Sequence, residues 1–137
     1  MTSNRHVAVW IDHHEAHIFH VDATQPDERM IQAPAHRIHR HPKGPTAEHH
    51  HPEDLHHFFQ AVSRDLQGAE RVLVVGPSTA KLQFIRYAHQ HDATLEPRII
   101  GVETVDHPTD AQLVAYARRY FAADDQKQGH HVGGTRH

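Results

Sequence analysis

The chain has 137 residues, no cysteine, a formal charge of −3 and 19 histidines. This length suits one domain that buries roughly 68% of the surface its unfolded chain exposes. Disulfides and thiolate metal sites are excluded, and no apolar run approaches the roughly 20 residues that span a bilayer. The opening MTSNRHVAVWID lacks the charged-then-apolar layout of a signal peptide, so a soluble cytoplasmic protein is expected. Because histidine titrates near neutrality, full protonation of the 19 imidazoles would reverse the sign of the net charge.

Two apolar stretches, Val7 to Ile11 and Ala16 to Val21, are separated by only four residues, Asp12-His13-His14-Glu15, a spacing that suits a β-hairpin, with strands over about 6–12 and 16–22, and is too short for a helical crossover. Pro26 and Asp27 mark the next turn, and a third strand is expected over 28–38, ending near Pro34. The polar stretch 39–51, with Pro42, Gly44 and Pro45, reads as a loop. A first helix over 52–67 starts on Pro52, carries Glu53 and Asp54 at its positive end, and repeats Leu55, Phe58, Phe59, Val62 and Leu66 at helical spacing before Gly68.

The run RVLVVG, Arg71 to Gly76, is continuously apolar after its first residue and stops at Gly-Pro, where a Lys-bearing amphipathic helix begins. This is the pattern of a buried parallel strand feeding a helix, here over 79–91. Ser78 or Thr79 is placed to cap it, with Leu82, Ile85 and Ala88 expected on its buried face. A further strand over 98–104 precedes a third helix over 110–123, which opens on the capping box Thr109-Asp110-Ala111-Gln112 and buries Leu113, Val114, Ala117, Tyr120 and Phe121. Residues 1–123 therefore read as one domain. The aperiodic 124–137 reads as a disordered tail.

The order β-β-β-α-β-α-β-α predicts an α/β fold. Three antiparallel strands followed by right-handed parallel crossovers give a mixed five-stranded sheet of order 3-2-1-4-5, the ribonuclease H-like layout. A nuclease on this fold needs carboxylates converging on divalent metals. Asp12, Glu53 or Asp54, and Asp110 are the candidates, but the end of the fourth strand offers only Gly76 and Pro77. Each of the four acids also has a structural reading, in a turn or a first helical turn.

The segment RVLVVGPSTAKLQFIRYA resembles the strand-Gly-Pro-x-x-x-Lys-x-x-Phe segment in the central domain of Pelota and of archaeal and eukaryotic class I release factors. VAVWIDHHEAHIF is similar to their opening hairpin, and the resemblance extends over about 5–121. Small bacterial proteins called translational machinery proteins share this pattern, and the chain resembles them as well. The resemblance implies the ribonuclease H-like fold and a role at the ribosome. In release factors the loop before the first helix carries a Gly-Gly-Gln that positions water against peptidyl-tRNA. Here HRIHRHPKGPTAEHHHPEDL has Lys43-Gly44-Pro45 at about that place and no glutamine. Peptidyl-tRNA hydrolysis is expected to be absent.

The same loop concentrates Arg37, Arg40 and Lys43, with His39, His41, His49, His50 and His51 able to add charge as pH falls. Arg37, Arg40, His41, Lys43 and Lys81 are the candidate RNA contacts, phosphates being held by cations and bases by imidazole stacking. Ribosome or RNA is the expected partner, with no cofactor. Alternatives are a divalent-metal nuclease and a histidine-rich metal-binding protein, for which His49, His51 and His56 are the weak candidate ligands.

Overall fold

The computed structural model describes residues 6–21, 28–33 and 52–135, and the side chains of these except 52–54 and 128–135. The strands are β1 (His6–Ile11), β2 (Glu15–His20), β3 (Glu28–Gln32), β4 (Arg71–Gly76) and β5 (Ile99–Thr104); the helices are α1 (Pro52–Asp65), α2 (Ala80–His91) and α3 (Asp110–Thr135). They build one sheet of order β3-β2-β1-β4-β5. β1 is antiparallel to β2 and parallel to β4, β2 is antiparallel to β3, and β4 is parallel to β5. The expected strand order and mixed topology are both present.

The central position of β1 and β4 explains their composition. A strand covered on both faces has no solvent side, so alternation gives way to a continuous apolar run. Val7, Val9 and Ile11 of β1, with Val72 and Val74 of β4, face one core that includes Phe58, Phe59 and Val62 of α1, Leu66 just after it, and Phe84 and Ala88 of α2. Ala8, Trp10, Leu73 and Val75 face the other, against Leu113, Ala117 and Phe121 of α3. Helices α1 and α2 thus cover one face and α3 covers the other.

Glycine does two different jobs. Gly68, just beyond α1, has φ +94° and lets the chain leave the helix in a left-handed conformation. Gly76 has no positive φ; a Cβ there would collide with the backbone carbonyl oxygen of Ile11, so its role is close approach of β4 to the end of β1.

Several expectations are corrected. β3 ends at Gln32, and residues 34–38 of its expected span lie outside the described residues. Leu82 is exposed, and α2 instead buries Ala80, Lys81, Phe84 and Ala88, because that stripe is the one turned to β4 and α1. Of the two capping candidates, Thr79 occupies the N-cap position in a helical conformation and makes no side-chain capping bond, while Ser78 Oγ accepts from the Ala80 N–H at 3.4 Å. α3 runs from Asp110 to Thr135, beyond the end at 123 expected for this helix. Ala122, Ala123 and the following Asp124, Asp125, Gln126 and Lys127 contain no breaker, and Arg71 on β4 holds Asp124 at 2.9 Å and also bonds Asp125.

Candidate functional site

The carboxyl ends of β1, β4 and β5 lie side by side, and the starts of α2 and α3 follow the last two. In open α/β sheets this edge is the usual place for a site, because the helices leave it toward opposite faces. Here α2 leaves toward the α1 side and α3 toward the other.

At the start of α2, Lys81 is only 7% exposed and its Nζ donates to the carbonyl of Ser78 at 2.7 Å. Lys81, a candidate RNA contact in the sequence, is therefore folded back on the turn that precedes it. That bond offsets some of the cost of placing a cation in a first turn that has no acidic residue. RNA contact through Lys81 requires the ammonium to leave Ser78.

Asp12 has a structural job. Its Oδ1 accepts hydrogen bonds from the backbone N–H groups of His14 at 2.8 Å and Glu15 at 2.9 Å, which closes the β1–β2 turn. His13, in the same turn, meets Gln83 of α2 at 2.6 Å. The side chains of Glu53 and Asp54 lie outside the described ones. Among the described residues no three His, Asp or Glu side chains are placed to hold a metal ion. His56 of α1 packs edge-on against His91 and Tyr87 of α2, with ring centroids 5.0 and 5.3 Å away. Arg37, Arg40, His41, Lys43, His49 and His51 lie outside the described residues.

On the α3 face the structure assembles groups that are far apart in sequence. His17 of β2 hydrogen-bonds Glu15 at 3.0 Å through Nε2 and bonds Glu28 of β3 through Nδ1. Burial disfavours the imidazolium, but the hydrogen bonds and negative charge of Glu15 and Glu28 outweigh it and raise the His17 pKa above 6.5. Asp110, in the first turn of α3, hydrogen-bonds Glu28. Its pKa is raised by burial first, then by the charge and hydrogen bond of Glu28, while His17 opposes the shift. Trp10, Glu15, His17, His107, Asp110 and Leu113 are among the residues around a small pocket of about 110 Å³. A larger cleft of about 570 Å³ adjoins it, sharing His107, Pro108 and Leu113 and reaching along α3 through Gln112 and Tyr116 to Arg119.

Sequence reasoning did not single out this cleft. It sees His13, His14 and His17 beside Asp12 and Glu15 as a knot able to approach a metal, and Asp110 as a first-turn acid, but not that Glu28 of β3 joins His17 to Asp110. Only the capping box left a direct signal there: Thr109 N–H donates to Gln112 Oε1 at 2.9 Å, and Gln112 N–H to Thr109 Oγ1 at 3.1 Å.

The topology and layering define an α/β protein of ribonuclease H-like fold. No protein-family model matches the sequence, and no curated protein does. Solved structures do match. Archaeoglobus fulgidus Pelota is 15% identical with a TM-score of 0.56, over 96% of this chain and 40% of that one. Thermoplasma acidophilum Pelota is 18% identical with a TM-score of 0.52, over 77% of this chain and 29% of that one. An archaeal translation termination factor, aRF1, is 16% identical with a TM-score of 0.54, over 97% and 42%. The chain is thus similar in fold to parts of Pelota and aRF1, and spans less than half the length of each.

Proposed function

We propose that this protein acts in translation as an RNA- or ribosome-binding module and does not hydrolyse peptidyl-tRNA. The observation that carries the reading is the fold match to Pelota and aRF1 over most of this chain. The second name denotes a translation termination factor. The sequence between β3 and α1 supplies the chemistry: Arg37, Arg40 and Lys43 offer fixed positive charge for phosphates, and His41 with its neighbouring histidines adds charge as pH falls. The same segment has no Gly-Gly-Gln, which motivates the absence of hydrolysis. Such a role belongs in the cytoplasm. Among the described residues no helix is long and apolar enough to cross a membrane.

Sedimentation of native lysate through sucrose, with and without ribonuclease, tests this reading. The protein is expected to travel with ribosomes or RNA and to return to the top of the gradient after ribonuclease or added salt. Replacing Arg37, Arg40 and Lys43 together by alanine is expected to abolish most of that association in a protein that remains folded by circular dichroism. Association unchanged in the folded triple variant removes this segment as the contact surface.

A further inference from the structure

The cleft beside α3 has one wall made by a stripe of that helix. Gln112, Tyr116 and Arg119 follow one another at four- and three-residue intervals and so share a face. The segment after β5 forms the other wall, with His107 on it and Val105 and Leu113 supplying apolar surface. The volume of about 570 Å³ falls in the range of small-molecule sites, which combine apolar walls with a few convergent polar groups.

Those polar groups are mostly donors. Among the described residues Arg119 has no hydrogen-bond or ion-pair partner, although it is close enough to Tyr116 to oppose the rise in that phenol's pKa caused by burial and then by Glu103. Gln112 spends its carbonyl oxygen on the Thr109 N–H, which leaves its amide NH₂ as a donor. The one carboxylate in the described lining, Asp106, lies at the His107 end, where it meets His107 Nδ1 at 3.0 Å, so that end is unfavourable to phosphate and the Arg119 end favours it. A ligand that satisfies this set is anionic and rich in acceptors. The rings of Tyr116 and His107 add flat faces, and Trp10 lies behind His107 with centroids 5.1 Å apart.

We infer that this cleft binds a nucleotide, with its phosphate on Arg119 and its base against His107 and Tyr116. The orientation follows from charge: beyond His107 the adjoining pocket is lined by Glu15 and Asp110, which repel phosphate. A planar guanidinium takes phosphate through paired hydrogen bonds, and aromatic rings stack on any base. None of the described residues lining the cleft belongs to the segment between β3 and α1. In naming RNA as the source of the nucleotide, the inference rests on the translation-associated reading above.

Trp10 is the single tryptophan and reports on the cleft through its contact with His107. Titration of the full chain with 5′-AMP is expected to change its emission saturably, with inorganic phosphate and adenosine each binding more weakly than AMP. Arg119→Ala and Tyr116→Ala are each expected to weaken AMP by about tenfold, the scale of one lost phosphate or stacking contact. Arg119→Glu, a charge reversal at an exposed position that should leave the fold intact, is expected to weaken it further. The Arg37, Arg40 and Lys43 triple variant is expected to bind AMP as the unaltered protein does. An adenosine decamer should bind at least as tightly as AMP and lose affinity with Arg119→Glu. AMP binding that is absent by both fluorescence and calorimetry, or unchanged in folded Arg119→Glu, overturns the site. AMP binding with exclusion of the decamer overturns RNA as the source, while loss of ribosome association in the triple variant alone bears only on the loop.

Discussion

Trp10 donates its indole N–H to the backbone carbonyl of Asp106 at 2.8 Å. This bond ties the central strand to the segment between β5 and α3, where the larger cleft begins. Trp10→Phe removes the donor and part of the ring. The hydrogen bond contributes about 1 kcal/mol, because the freed carbonyl of an exposed residue regains water, and the smaller side chain adds a void. A loss of about 2 kcal/mol in urea unfolding followed by circular dichroism is expected. An unchanged unfolding midpoint would show that the bond does not hold the segment.

Gly76→Ala is expected to cost more than Gly68→Ala. A Cβ at Gly76 meets the Ile11 carbonyl where the two central strands end side by side, and two paired strands have little room to separate. Overpacking of this kind costs about 1–3 kcal/mol. At Gly68 nothing lies within 4 Å, so the alanine penalty is the left-handed backbone alone, about 1 kcal/mol. Unfolding midpoints of the two variants give the order directly, and the reverse order contradicts the packing argument.

Stability is expected to depend on pH through His17 and Asp92 in opposite directions. The raised pKa of His17 means that its contribution is complete below 6.5 and is lost as pH rises through the folded value. Asp110 has the same sign: its raised pKa makes its contribution complete below 3.8 and lost above the folded value. Burial pushes Asp92 up, but hydrogen bonds from Ser63, Thr94, Gln67 and the Leu95 backbone outweigh it and lower its pKa. The Asp92 contribution is therefore present above 3.8 and lost as pH falls through the folded value. Urea midpoints measured between about pH 5.5 and about pH 8.5 should fall less steeply in His17→Gln than in the unaltered protein. Asp92→Asn should flatten the acid side. Identical pH profiles in the variants would contradict these assignments.

The purified protein is expected neither to release peptide from stalled ribosomes nor to cut RNA–DNA hybrids in magnesium or manganese. Asp12→Asn is a clean control, since asparagine keeps the side-chain oxygen that accepts from His14 and Glu15. Turnover in the unaltered protein that disappears in Asp12→Asn would revive the nuclease reading.

The elements legible in the sequence are those whose burial is two-sided or whose ends are chemically marked. Val72 to Val75 read as a covered strand because both faces are packed, and Thr109 with Gln112 read as a helix start because a capping box closes within four residues. The chain order of strands and helices then leaves one short list of topologies, and β3-β2-β1-β4-β5 is on it. Local pattern was less informative where tertiary contact chose between similar stripes. Leu82 and Lys81 are neighbours on α2, yet the leucine is exposed and the lysine buried, because Phe84 and Ala88 set the face that meets the core. The length of α3 likewise involves Arg71, more than fifty residues earlier. The sequence by itself determined the ribonuclease H-like layout and the chemistry available between β3 and α1, since periodicity and composition act over short range. Only the tertiary structure brought His17, Glu28 and Asp110 together and opened the cleft along α3, because hydrogen bonds and charge act through space between residues that no local pattern relates.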